Sequence, residues 1–151
     1  MTAPESWLIV EAVAERLRAI KIAGGYRTDA GLKVVTEHAL IEEASEQPQL
    51  LVFLDGPMNP AASSSTKWRD LVAPLTVQGR YPIRLEDAQR RAHDLASDLQ
   101  RAIPPDTTQL TTDEWNFRIE SIAIIQRPFG ADTVVVEMGL LVSHRVFTPT
   151  A

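Results

Sequence analysis

The hydrophobic repeat switches between helical and strand-like spacing in one fixed order along this chain, and that order limits the fold more than any single motif. Residues 2–22 open with Pro4 and Glu5, and Thr2-x-x-Glu5 has the spacing of a capping box. Ile9, Val13, Leu17 and Ile20 then repeat at helical spacing, with Glu11, Glu15, Arg18 and Lys21 on much of the other face. Gly24 and Gly25 provide the positive-φ stop that ends such a helix. Residues 26–31 read as a turn and 32–36 as a short strand with two β-branched valines. Residues 37–46 are compatible with a helical turn, a strand extension or an acidic loop. Past Pro48, the run Leu50-Leu51-Val52-Phe53-Leu54 predicts a strand covered on both faces.

Residues 55–67 carry two prolines, Gly56, Asn59 and three consecutive serines, the strongest loop signal in the chain. Residues 68–81 resume as a strand in which Leu71, Ala73, Leu75 and Val77 alternate with mostly polar neighbours. Pro74 is expected at a bulge or sheet edge, because proline cannot donate to a ladder. A second helix over 85–103 buries Ala88, Ala92, Leu95, Leu99 and Ile103. Glu86/Arg90 and Asp87/Arg91 are spaced for i,i+4 pairing on it, and Pro104-Pro105 stops it. Two long strands follow, 115–126 and 133–146, joined by a tip at 127–132. Val134, Val136, Met138, Leu140 and Val142 face one side of the last strand. Val135 and Leu141 lend the other side apolar character, so a free edge there would need a partner or a cover.

These elements predict one α+β domain over residues 1–151. A mixed or antiparallel sheet of about four to five strands packs against two helices and ends in a long β-hairpin. The net charge of -5 gives no overall basic footprint for nucleic acid or anionic membranes. No apolar run approaches the roughly 20 residues that span a bilayer. The absence of cysteine removes disulfides, thiol nucleophiles and Cys-based zinc sites.

Reactive side chains do not cluster. His38, His93 and His144 lie in three separate elements without metal-ligand spacing. The best metal candidate is His93 with Asp94 and Asp98 on the second helix, where two carboxylates on a solvated face are the simpler reading. Glu42/Glu43 and Asp113/Glu114 fall in polar stretches, not in the apolar pocket that acid–base work requires. Ser63-Ser64-Ser65 lacks the Gly-x-Ser-x-Gly elbow of a nucleophilic serine. We therefore expect no enzyme, no cofactor and no metal. Large apolar side chains on loops point instead to a contact surface, with Met58, Trp68, Arg127, Phe129 and Asp132 as candidate interface residues.

The order of motifs resembles the tail terminator (tail completion) proteins of long-tailed bacteriophages, the group that includes minor tail protein U. The resemblance rests on Gly25-Tyr26-Arg27-Thr28-Asp29-Ala30-Gly31-Leu32-Lys33-Val34 after the first helix and on the apolar strand 50–54. It continues through Leu75-Thr76-Val77-Gln78-Gly79-Arg80-Tyr81, Glu86-Asp87-Ala88, the helix with Asp98, and the hairpin turning at Gly130-Ala131-Asp132. It covers almost the whole chain. It implies a structural virion protein that is assembled in the host cytoplasm and sits at the head-proximal end of the tail. Copies form a ring, a hexamer in that family, which stops growth of the tail tube and offers the surface where the head docks. Its partners would be further copies of itself, the tube protein and a head–tail connector or neck protein, with DNA passing through the lumen unbound. It also implies lumen- or tube-facing contacts in 55–67 and subunit or neck contacts at 127–132. Another neck ring protein is the near alternative. A metal-dependent hydrolase built on His93, Asp94 and Asp98 is the alternative from a different class.

Overall fold

The computed structural model describes residues 4–37, 40–41, 47–56, 58–60, 68–82, 85–103, 116–126 and 133–147. Helix α1 (Glu5–Leu17) leads through two 3-10 turns, Ile22–Gly24 and Ala30–Leu32, into β1 (Val34–Val35). There follow β2 (Gln49–Leu54), β3 (Asn59–Pro60), β4 (Trp68–Pro82), α2 (Ala88–Ala102), β5 (Asn116–Gln126) and β6 (Thr133–Phe147). The main sheet runs β1-β2-β4-β6-β5, with β3 beside β4. β1 is parallel to β2 and every other pairing is antiparallel, so the sheet is mixed, as expected for an α+β fold closing on a long hairpin. Among the described residues no helix is long and apolar enough to cross a membrane.

β4 and β6 pair along their whole lengths, from Trp68 opposite Phe147 to Pro82 opposite Thr133. Alternation decides which side of this ribbon is covered. Ala73, Leu75, Val77 and Tyr81 share one face with Val134, Val136, Met138, Leu140 and Val142, and all are buried. α2 packs on β4, β5 and β6, and α1 packs beside it on β1 and β2. α1 contributes Ile9, Val13 and Leu17, and α2 contributes Ala88, Ala92, Leu95 and Leu99. Gly79 lets α2 come close, since a Cβ there would collide with Leu95 Cδ2. Leu50, Leu51 and Val52 are all buried in succession, which is why β2 reads as an unbroken apolar run.

Several local expectations are corrected. α1 starts at Glu5 with Pro4 as its cap and no side-chain cap bond, so Glu5 is the first helical residue and not the third. Thr2 itself lies outside the described residues. The helix also ends at Leu17, not near residue 22; Ile20 stays in the core from beyond its end. Gly25, at φ 91°, closes the first 3-10 turn and not the α-helix. Part of the long loop is ordered as β3, with Asn59 opposite Val72 and Pro60 opposite Leu71.

Pro74 sits inside a central strand without a bulge, because the β4–β6 register passes straight through Pro74 opposite Leu141. In an antiparallel ladder one residue's N–H and C=O point toward the same neighbour. The Pro74 carbonyl accepts from the Asp55 N–H at 2.9 Å, on the β2 side. Its missing N–H faces Asp55 as well, so the reciprocal bond of that pair is absent and the β2–β4 ladder stops one pair earlier, at Leu54 opposite Leu75. The irregularity in the sheet lies elsewhere, at the register shift between Ile119 and Ser121 in β5. β6 is interior, paired to β4 on one side and β5 on the other, so the edge question passes to β5.

Candidate functional site

The Gly-Tyr motif is a strap that ties the chain after α1 onto α2. Gly31 is its tightest point. A Cβ there would lie 2.6 Å from the carbonyl oxygens of Arg18 and Ile20, and its own N–H donates to Ile20 O at 2.8 Å. At the other end the Gly25 carbonyl accepts from Arg101 Nη1 at 2.9 Å, and the Arg101 guanidinium stacks 4.7 Å above the Tyr26 ring. Between them, Asp98 of α2 holds the backbone directly. It accepts from Arg27 N–H at 3.0 Å, from Thr28 N–H at 2.7 Å and from the Thr28 hydroxyl at 2.7 Å. Asp29 closes the strap on itself by accepting from Ile22 N–H at 2.8 Å.

Asp98 is fully buried. The expectation that Asp94 and Asp98 share one solvated face is thus corrected. Asp98 lies one position before Leu99 and three after Leu95, inside the apolar stripe, and three donors replace the water it loses. His93 is exposed, so His93, Asp94 and Asp98 do not converge. Among the described residues no group of three His, Cys, Asp or Glu side chains is placed to hold a metal ion. Of the paired charges expected on α2, Asp87 and Arg91 meet at 2.8 Å, whereas Arg90 turns to Asp94 at 3.4 Å.

Beside the strap lies an open cavity of about 230 Å³. Its walls are Ile22, Arg27, Thr28 and Asp29 from the strap, Gln47 and Pro48 ahead of β2, Tyr81 at the end of β4, and Asp87, Arg91 and Asp94 at the start of α2. Tyr81 is only 2% exposed, and burial raises its hydroxyl pKa well above the ordinary value, with Arg91 opposing the shift and Asp94, Asp98 and Asp87 adding to it. Sequence reasoning missed this cavity. The available signal was an acidic residue inside the apolar stripe of α2, which demands donors from another segment.

Of the five candidate interface residues, Met58 and the backbone of Trp68 are described. Met58 is exposed just before β3, and the Trp68 backbone opens β4 opposite Phe147. Arg127, Phe129 and Asp132 lie outside the described residues, but the flanking Gln126 and Thr133 are level with Val134 and Pro82. Trp68 and Pro82 are the two ends of β4, a 15-residue strand spanning roughly 45 Å. Ile22, Leu32, Leu40, Leu54, Met58 and Ile125 are the exposed large apolar side chains among the described residues, and four of them lie near the two ends of β2. Ile22 and Leu32 lie ahead of Val34, which pairs with Leu50 at the start of β2, whereas Leu54 and Met58 lie at and beyond its end.

No family model matches the chain, and no curated protein matches it in sequence. One solved structure without a descriptive name is 19% identical, covering 97% of this chain and all of its own, with a TM-score of 0.48. That likeness carries no argument about function.

Proposed function

We propose that this chain is a structural protein that forms a ring at the head-proximal end of a bacteriophage tail tube, halting tube growth and presenting the surface on which the head docks. The observation that carries this reading is the placement of exposed apolar side chains at two different ends of one sheet. Ile22 and Leu32, 57% and 70% exposed, mark one end, and Leu54 and Met58 mark the other. Two unlike patches on one chain suit head-to-tail contacts between copies, which close into a ring when the rotation per subunit divides a full turn. The motif order of the phage tail terminators lends the same reading its partners, the tube protein below and a neck protein above. The strap adds to it, because a loop fixed to α2 by Asp98 and Arg101 presents Ile22 and Leu32 in one geometry and reduces the ordering cost of binding.

The test is electron microscopy of lysates from the phage that carries this gene, with and without the gene. Headless tails of irregular, excessive length in its absence would support the reading. Tails of normal length would overturn it and direct attention to another neck ring.

A further inference from the structure

We propose that the cavity between the strap and α2 receives a single guanidinium or ammonium side chain from a neighbouring protein chain. Three observations converge on it, and none depends on the ring reading. The first is charge. Two arginines, Arg27 and Arg91, face three carboxylates, Asp29, Asp87 and Asp94, so the lining carries a formal charge of -1 from +2 and -3.

The second is unspent hydrogen-bonding capacity. Asp94 is a quarter exposed and is held loosely, through Oδ1 alone, by Arg90 at 3.4 Å and Arg27 at 3.7 Å. Its Oδ2 accepts from no described residue. Among the described residues Asp29 likewise uses only Oδ1, toward Ile22 N–H. The Tyr81 hydroxyl, almost wholly buried at the cavity wall, meets no hydrogen-bonding partner among the described residues. Buried polar groups in folded proteins are nearly always satisfied, so the buried phenol calls for a partner within the cavity, and the two partly exposed carboxylate oxygens beside it are free to accept from the same donor-rich guest.

The third is size and shape. The carboxylates are too dispersed to share one metal ion. A planar guanidinium spreads its donors widely enough to reach separate acceptors, and an ammonium offers three. The cavity's 230 Å³ equals the volume of about eight liquid waters, room for the end of one long side chain. At the rim stands the exposed Ile22, which offers apolar surface to the aliphatic stem behind the charge. That contact favours a side chain on a protein segment over a free small cation.

The experiment is a two-dimensional NMR titration of the intact protein with three probes: a blocked Gly-Arg-Gly peptide, the matching Gly-Glu-Gly peptide, and agmatine. The expected result is saturable shifts of the Arg27, Thr28 and Asp94 amides with the arginine peptide and none with the glutamate peptide. Asp94→Asn should weaken the arginine peptide about tenfold, as should Tyr81→Phe. Should Tyr81→Phe fail to fold, the partly exposed Asp94→Asn carries the test alone. The proposal is overturned if the arginine peptide gives no saturable shift up to about 20 mM, a weaker affinity than one side chain's contacts should supply. It is equally overturned if the glutamate peptide binds as well, if Asp94→Asn binds unchanged, or if agmatine binds while the peptide does not.

Discussion

Replacing Asp98 by Asn tests the central claim about the strap, that one buried carboxylate holds it on α2. The change keeps the shape of the side chain and alters only charge and donor–acceptor pattern. Asp98 Oδ2 accepts two bonds from Thr28 and Oδ1 accepts one from Arg27. With the amide oxygen turned to Thr28, both of those bonds survive but become neutral, each losing about 1 kcal/mol. The amide nitrogen then faces the Arg27 N–H, donor against donor, which costs about 2 kcal/mol more. Burying a neutral amide in place of a carboxylate returns about half of that total. The net loss is about 2 kcal/mol, which at a urea m-value of about 2 kcal/mol/M lowers the midpoint by about 1 M. Hydrogen exchange should locate the loss, with Arg27 and Thr28 amides losing protection before those of β4 and β6. A midpoint shift below about 0.2 M, with Thr28 protection intact, would refute the assignment of Asp98 as the anchor.

Three further changes probe neighbouring parts. Gly31→Ala should destabilise the fold by about 3 kcal/mol in urea unfolding, because its Cβ would meet two backbone oxygens at 2.6 Å that cannot turn aside as a side chain can. Arg101→Ala removes the stack on Tyr26 and the bond to Gly25 O at an exposed site, so a loss near 1 kcal/mol in the same assay is expected. Tyr81 supplies a pH dependence. Its folded-state pKa is raised above the ordinary 10.0, so the unfolded chain ionises first. The contribution is complete below about pH 10 and falls away as pH climbs through the folded pKa. Tyr81→Phe should therefore show a shallower loss of stability above pH 10 than the parent protein, measured by unfolding at a series of alkaline pH values.

Much of the architecture is legible in the residues because its elements carry unambiguous periods. The stripe Ala88-Ala92-Leu95-Leu99 and the alternation Val134-Val136-Met138-Leu140-Val142 each leave one orientation that buries them. The N-terminal helix was legible in type but not in length. Ile20 continues its apolar spacing, yet the chain leaves the helix at Leu17 so that Gly31 can close against the Arg18 and Ile20 carbonyls. Pro74 misleads locally, since its missing N–H falls where the β2–β4 ladder ends at Leu54 opposite Leu75, not at a bulge or an outer edge. The strap and its cavity were the least legible. Thr28 and Asp98 are 70 positions apart, and no local pattern tells a helix carboxylate bonded to a distant backbone from one facing water.

The place of β6 in the sheet has a consequence for how the protein is made. It comes last in chain order among the strands, yet it lies between β4 and β5 and joins the two halves of the sheet. Until that segment leaves the ribosome, β4 has no partner along one flank and β5 has none at all among these strands. The nascent chain therefore exposes one flank of β4 throughout the synthesis of α2 and β5, and then the whole of β5 until β6 follows, the kind of surface that chaperones bind and that neighbouring chains capture. Premature termination before β6 leaves β4 open along one flank and β5 without a partner among these strands.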